Sequence, residues 1–77
     1  MLNLASRDEY TIAGRGLVKC IDNPTPGGPL FGELERAMLA REPICVDGET
    51  WLLRGIERYA IPDPANCSCF GLLVAHV

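Results

Sequence analysis

Two short runs of β-prone residues near the N-terminus are separated by a pair of glycines. Residues 10–13 and 17–21 are rich in β-branched, aromatic and other apolar side chains, and Gly14 and Gly16 lie between them. Glycine adopts the positive φ angles of tight turns at little cost. The pattern therefore predicts a strand, a tight turn or bulge, and a second strand.

A loop and a helix are predicted next. Residues 22–29 contain three prolines and two glycines, a density that neither a strand nor a helix interior tolerates. Over residues 30–41 the positions Leu30, Leu34 and Met38 recur at helical spacing among strong helix formers. This spacing predicts one short amphipathic helix, which must end before Pro43 because a proline disfavours helical backbone in the residue before it.

The clearest local signal is a β-hairpin over residues 43–54. Asp47-Gly48 supplies the two positive φ angles of a type I′ turn. Gly55 then allows a bend or bulge, and residues 56–61 are able to continue the strand. Residues 70–76 form an apolar run without clean alternation, which is typical of a strand buried on both faces or closing a barrel.

Four phrases occur in the order found in a known module. They are residues 10–18 (Tyr-Thr-Ile-Ala-Gly-Arg-Gly-Leu-Val), the Asp47-Gly48 hairpin, residues 53–57 (Leu-Arg-Gly-Ile-Glu) and residues 70–74 (Phe-Gly-Leu-Leu-Val). The chain thereby resembles the translation-protein β-barrel, the second domain of elongation factor Tu and related translational GTPases, and is similar to a free-standing bacterial or phage version of it. The match departs from that family over residues 23–42, where the family has a short turn and a strand.

The predicted fold is mainly β. We expect a single domain over residues 1–77, built as a small closed or partly open β-barrel of about six strands with one short inserted helix over residues 30–41. Nothing in the chain resembles the Gly-x-x-x-x-Gly-Lys-Ser/Thr loop that cradles nucleotide phosphates. The resemblance therefore implies no GTPase activity.

Charge and hydropathy narrow the partners and the location. The 77 residues carry 10 acidic against 7 basic side chains, a formal net charge of −3, which argues against a dedicated binder of nucleic acid. No apolar run has the length of a secretion signal or a membrane span. We expect a cytoplasmic protein without membrane contact, stabilised in part by a partner or a homodimer interface because its core is small.

The cysteines and the single histidine do not form a pattern typical of an enzyme or a metal site. Cys20 and Cys45 are isolated, and Cys67-Ser-Cys69 is a C-x-C pair, whereas structural zinc sites usually provide two C-x₂₋₄-C pairs. Ordinary thiols are predicted, with a disulfide or a zinc site as alternatives. His76 is the penultimate residue, a poor place to hold a catalytic base in position. The sequence therefore predicts no catalytic, metal-binding or cofactor-binding residue and no cofactor.

The leading functional hypothesis is a non-catalytic module that recognises a protein, as a phage or bacterial accessory protein that docks on or inhibits a host assembly. The expected contact residues are Leu30, Phe31, Arg36, Arg41 and Trp51, although for Trp51 packing in the core is the favoured interpretation. One alternative is binding of RNA or a tRNA end, for which the resemblance provides a precedent. Its basic and stacking side chains would be Arg15, Lys19, Arg54, Arg58, Tyr10, Trp51 and Tyr59. The other alternative is a small thiol or metal enzyme.

Overall fold

The computed structural model describes residues 1–23, 28–60 and 68–77. Its described elements, in chain order, are β1 (Asn3–Leu4), β2 (Asp8–Ile12), β3 (Gly16–Asp22), α1 (Leu30–Ala40), β4 (Ile44–Val46), β5 (Glu49–Ala60) and β6 (Ser68–His76). The mainly β fold with one short helix is confirmed. The helix begins at the predicted residue and ends one residue early, because Arg41 forms its C-cap.

The strands form one mixed sheet in the order β1-β4-β5-β6-β3-β2. The β1–β4 pair is parallel, and the other pairs are antiparallel. Only residues 5–7 connect the edge strands β1 and β2. At one end of this connection Asp47 N donates to Leu4 O at 2.9 Å, and at the other end Arg7 N donates to Cys20 O at 2.8 Å. The chain thus brings both edges together, and because the described residues form no ladder between them, the barrel is partly open.

The inward face of this sheet is covered by α1. Leu34 and Ala37 are buried on the helix, and Ile44, Phe70 and Leu72 are among the fully buried residues of the strands. The helix lies against β5. The ring of Phe31 packs on that of Phe70, with ring centroids 5.9 Å apart. The apolar stripe predicted from helical spacing is therefore the stripe that closes the core.

The middle of β5 contains the expected bulge. Leu53 lies opposite Val74 and Gly55 lies opposite Leu73 on β6, so that Arg54 has no opposing residue. The strand nevertheless continues to Ala60. A bulge bends its strand and redirects the side chain of the extra residue, which here is an arginine.

The Asp47-Gly48 turn has φ angles of 54° and 81°, as a type I′ turn requires. A Cβ atom added at Gly48 would meet no atom within 4 Å, so any cost of substitution comes from the backbone. We expect Gly48→Val to lower the free energy of unfolding by about 1–3 kcal/mol, because a β-branched residue is strained at positive φ. Urea denaturation measures this, with Thr50→Val as a control, because Thr50 is an exposed position of β5 without a positive φ. An unchanged midpoint for Gly48→Val would exclude the turn type.

Candidate functional site

A groove of about 430 Å³ lies between the C-terminal end of α1 and the β5–β6 pair. Its apolar lining consists of Met38, Leu52, Leu53 and Ala75, and its basic and imidazole lining consists of Arg41, Arg54 and His76. We call this the Arg41–Arg54 groove. Three separate elements supply its residues, so local sequence alone does not reveal it.

Arg41 reaches the groove from an unusual backbone position. It has φ 56° and ψ 36°, in the left-handed region. Its N–H donates to Met38 O at 3.2 Å, and the N–H of Glu42 donates to Ala37 O at 2.9 Å, which together form a Schellman-type helix end. Glycine normally occupies this position because it has no Cβ. Arg41 therefore has a strained backbone conformation.

Because of this strain, replacing Arg41 by glycine is expected to remove the side chain from the groove without destabilising the fold. We expect Arg41→Gly to leave the free energy of unfolding unchanged or to raise it by up to about 1 kcal/mol, since relief of the left-handed strain opposes the added freedom of the unfolded chain. Thermal and urea denaturation of the purified variant measure the effect. A clear loss of stability would mean that the Arg41 side chain supports the fold.

The two other polar members are held by features of β5 and β6. Arg54 is the extra residue of the β5 bulge. His76 stacks on Trp51, with ring centroids 4.7 Å apart and planes inclined by 32°. Bulges occur preferentially beside functional sites, where they redirect a side chain. Two irregular backbone positions thus bring two arginines to one groove.

The two arginines of the groove have no ion pair within the part of the chain that the structure describes. Elsewhere Arg7 pairs with Asp22 at 2.9 Å, Arg15 pairs with Glu57 at 3.2 Å, and Lys19 pairs with Glu9 at 2.8 Å. Within the described residues, the structure gives no ion pair or side-chain hydrogen bond to three arginines: Arg36, Arg41 and Arg54. Two of those three line the groove, which makes it a locally basic site on an acidic chain.

A second polar cluster is centred on Lys19, which is only 6% exposed. Its Nζ lies 2.8 Å from Glu9 Oε2, 3.7 Å from Asp47 Oδ2 and 5.2 Å from the centre of the Trp51 ring. The hydrogen bond to Glu9 raises the pKa of Lys19, so the ammonium group stays charged. The backbone N–H and the hydroxyl of Ser6 both donate to Asp47, and these bonds lower its pKa.

The position of the Lys19 cluster explains its role. It joins β2, β3, the β4–β5 turn and the connection between the two edge strands, where no backbone ladder closes the barrel among the described residues. A buried cation with close acidic partners is costly to disrupt. We therefore assign the cluster to barrel closure.

The predicted contact residues occupy different environments. Trp51 is 5% exposed, so it fills the core, as the favoured interpretation of this residue predicted, and it does not form an exposed anchor. Its Nε1–H is buried without a hydrogen-bond acceptor among the described residues, which nothing in the structure explains. Leu30 and Phe31 are half-buried against the core, while Arg36 and Arg41 are exposed. Only Arg41 of these five lines the groove.

The basic residues proposed for RNA have different surroundings. Arg15 is paired with Glu57 and lines a different hollow from Arg54. Lys19 is buried. The side chains of Arg58 and Tyr59 lie outside the described part of the chain. Lys19 is therefore not available to an exposed basic surface, and the RNA-binding alternative stays a prediction for Arg15 and Arg54.

Cys20, Cys45 and Cys69 are free thiols, and Cys67 lies outside the described residues. Burial raises the pKa of Cys20, which makes it a weak nucleophile near neutral pH. Within residues 1–23, 28–60 and 68–77, no three His, Cys, Asp or Glu side chains are placed to hold a metal ion.

Comparison with known proteins gives no match among protein-family models, curated proteins or solved structures. The resemblance to the translation-protein β-barrel therefore stays a prediction. In the described part of the chain, no helix has the length and apolar character needed to cross a membrane.

The sequence interpretation missed most of the groove. The sequence predicts Met38 on the apolar face of the helix and the other lining residues Leu52, Leu53, Ala75 and His76 on strands, and it considers His76 only as a poorly placed catalytic base. Two signals were available, namely an arginine beside the glycine of an expected bulge and an arginine at the helix end where glycine is usual. Neither signal indicates that Arg54 and Arg41 line the same groove.

Proposed function

We propose that the protein is a non-catalytic module that recognises a protein partner through the Arg41–Arg54 groove. The observation that carries the proposal is the convergence of Arg41 and Arg54, neither of them ion-paired within the described residues, beside four apolar side chains in one groove. Protein interfaces are enriched in arginine and methionine around an apolar centre. The groove has this composition.

Exposed apolar residues extend the surface around the groove. Leu39, next to Met38, is 75% exposed, and Val77, next to His76, is 72% exposed. Single exposed apolar residues need no explanation, but these two adjoin groove residues on two different elements. Because each follows a groove residue in the chain, we include both in the proposed contact surface.

The proposal extends to a biological setting, a bacterial cell or its phage. The resemblance to translation barrels supports a bacterial or phage accessory protein that docks on a larger host assembly. The acidic net charge of −3 favours a protein over a nucleic acid as partner. Docking by shape requires no catalytic group, and the raised pKa of Cys20 supports no nucleophile.

Affinity capture from an extract of the native cell tests the proposal. Tagged wild type, an Arg41→Gly, Arg54→Gln double variant and an Arg7→Gln, Arg36→Gln control are compared by quantitative mass spectrometry. Arg7 and Arg36 are exposed arginines outside the groove, so replacing both controls for the loss of two positive charges. We expect a protein enriched by the wild type and the control but reduced about tenfold or more with the double variant, as for interface arginines. Equal capture by all three proteins would contradict recognition through the groove.

A further inference from the structure

We infer that the Arg41–Arg54 groove binds a short acidic segment of a polypeptide, whose carboxylates meet Arg41 and Arg54 while its apolar side chains contact Met38, Leu52 and Ala75. This inference rests on the proposed function and specifies the chemistry of the partner. Three observations carry it, one from the backbone, one from charge and one from the lining.

The backbone positions of Arg41 and Arg54 are energetically unfavourable. Arg41 occupies a left-handed position that favours glycine, and Arg54 occupies a bulge that interrupts the β5–β6 ladder. Strained positions and bulges cluster where a side chain must be aimed. That both irregular positions hold an arginine directed to one groove indicates a binding requirement beyond folding.

The charge observation indicates an anionic ligand of limited length. The planar guanidinium group presents paired N–H donors that match a carboxylate, and neither Arg41 nor Arg54 has an acidic partner among the described residues. The chain as a whole carries a net charge of −3. A long polyanion such as RNA would meet this acidic surface as well as the groove, whereas a short segment meets the local arginines only.

The lining observation favours a peptide over a small anion. The groove has a volume of about 430 Å³, and four of its seven lining residues are apolar. A phosphate or other small ion would leave this apolar surface without a contact. A peptide with alternating acidic and apolar residues uses both parts, and methionine adapts its shape to an apolar side chain.

Fluorescence anisotropy with defined probes tests the inference. The probe is a fluorescein-labelled decapeptide of alternating Glu and Leu, and the control peptide has Gln in place of every Glu. The proteins are the wild type, Arg41→Gly, Arg54→Gln and Arg36→Gln. Arg36 is the matched control, because it is an exposed helix arginine that has no ion pair with any described residue and lies outside the groove.

We expect saturable binding of the Glu-Leu peptide to the wild type and to Arg36→Gln. Binding of the Gln-Leu peptide, and binding of the Glu-Leu peptide to Arg41→Gly or Arg54→Gln, is expected to be about tenfold weaker, since hydrogen bonds to charged groups are lost. No saturable binding, or an equal loss with Arg36→Gln, would overturn the inference. Stronger binding of oligouridine, or displacement of the peptide by equimolar inorganic phosphate, would also overturn it.

The two levels of the proposal fail separately. If the native partner is captured through the groove but the Glu-Leu peptide does not bind, the acidic-segment inference is wrong and the proposed function stands. If partner capture does not depend on Arg41 and Arg54, the proposed function falls whatever the peptide does. Melting temperatures of all variants show whether each remains folded.

Discussion

Replacing Leu34 by alanine is expected to lower the free energy of unfolding by about 2–5 kcal/mol. Leu34 is 0% exposed and belongs to the core cluster beneath α1. Its removal loses the transfer free energy of the side chain and leaves a cavity between the helix and the sheet. For a chain of this size that is a large part of the total stability.

The same helix offers a matched control. Leu39 is 75% exposed, so Leu39→Ala is expected to change the free energy of unfolding by no more than about 0.5 kcal/mol. Urea denaturation followed by tryptophan fluorescence measures both variants. Similar small effects would show that the helix does not cover the barrel.

Reversing the charge at Lys19 is expected to be as damaging. Lys19→Glu places a carboxylate at a 6% exposed site already faced by Glu9 and Asp47. We expect a loss of about 3–5 kcal/mol, comparable to breaking a buried ion pair. The loss has two causes, because the variant removes the cation and adds repulsion where the barrel is closed by side chains.

Lys19→Met separates charge from packing. The apolar side chain has a similar length, and Glu9 and Asp47 remain 57% and 40% exposed at their side chains, so water is able to solvate them. We expect Lys19→Met to cost less than about 1.5 kcal/mol. Chemical denaturation of both variants provides the measurement. A folded Lys19→Glu protein of unchanged stability would refute the assignment of Lys19 to barrel closure.

Local sequence signals predicted the elements that depend on local chemistry. The Asp47-Gly48 turn, the bulge beside Gly55 and the helix from Leu30 follow from φ preferences and helical spacing, and all three are confirmed. Strand β1 was missed because it has two residues and exists only through parallel pairing with β4. A contact between residues 3–4 and 45–46 leaves no periodic pattern in the sequence.

The candidate site was less predictable for the same reason. The sequence placed Arg41 at a contact surface, but it assigned Leu30 and Phe31 to that surface as well, and the structure packs both against the core. Arg54 was considered only as one of several basic residues. Its proximity to Arg41 depends on how α1 crosses β5, which is a tertiary feature that propensity and spacing do not encode.

Site-specific photo-crosslinking in the native cell tests the central claim most directly. Benzoylphenylalanine replaces Leu39, which is exposed and follows the groove residue Met38 in the chain, or Thr11, which is exposed on β2. Recognition through the Arg41–Arg54 groove predicts a discrete protein adduct from position 39, none from position 11, and loss of the adduct when Arg54→Gln is added. Crosslinking from position 11 alone, or an adduct from position 39 that is unaffected by Arg54→Gln, would contradict recognition through the groove.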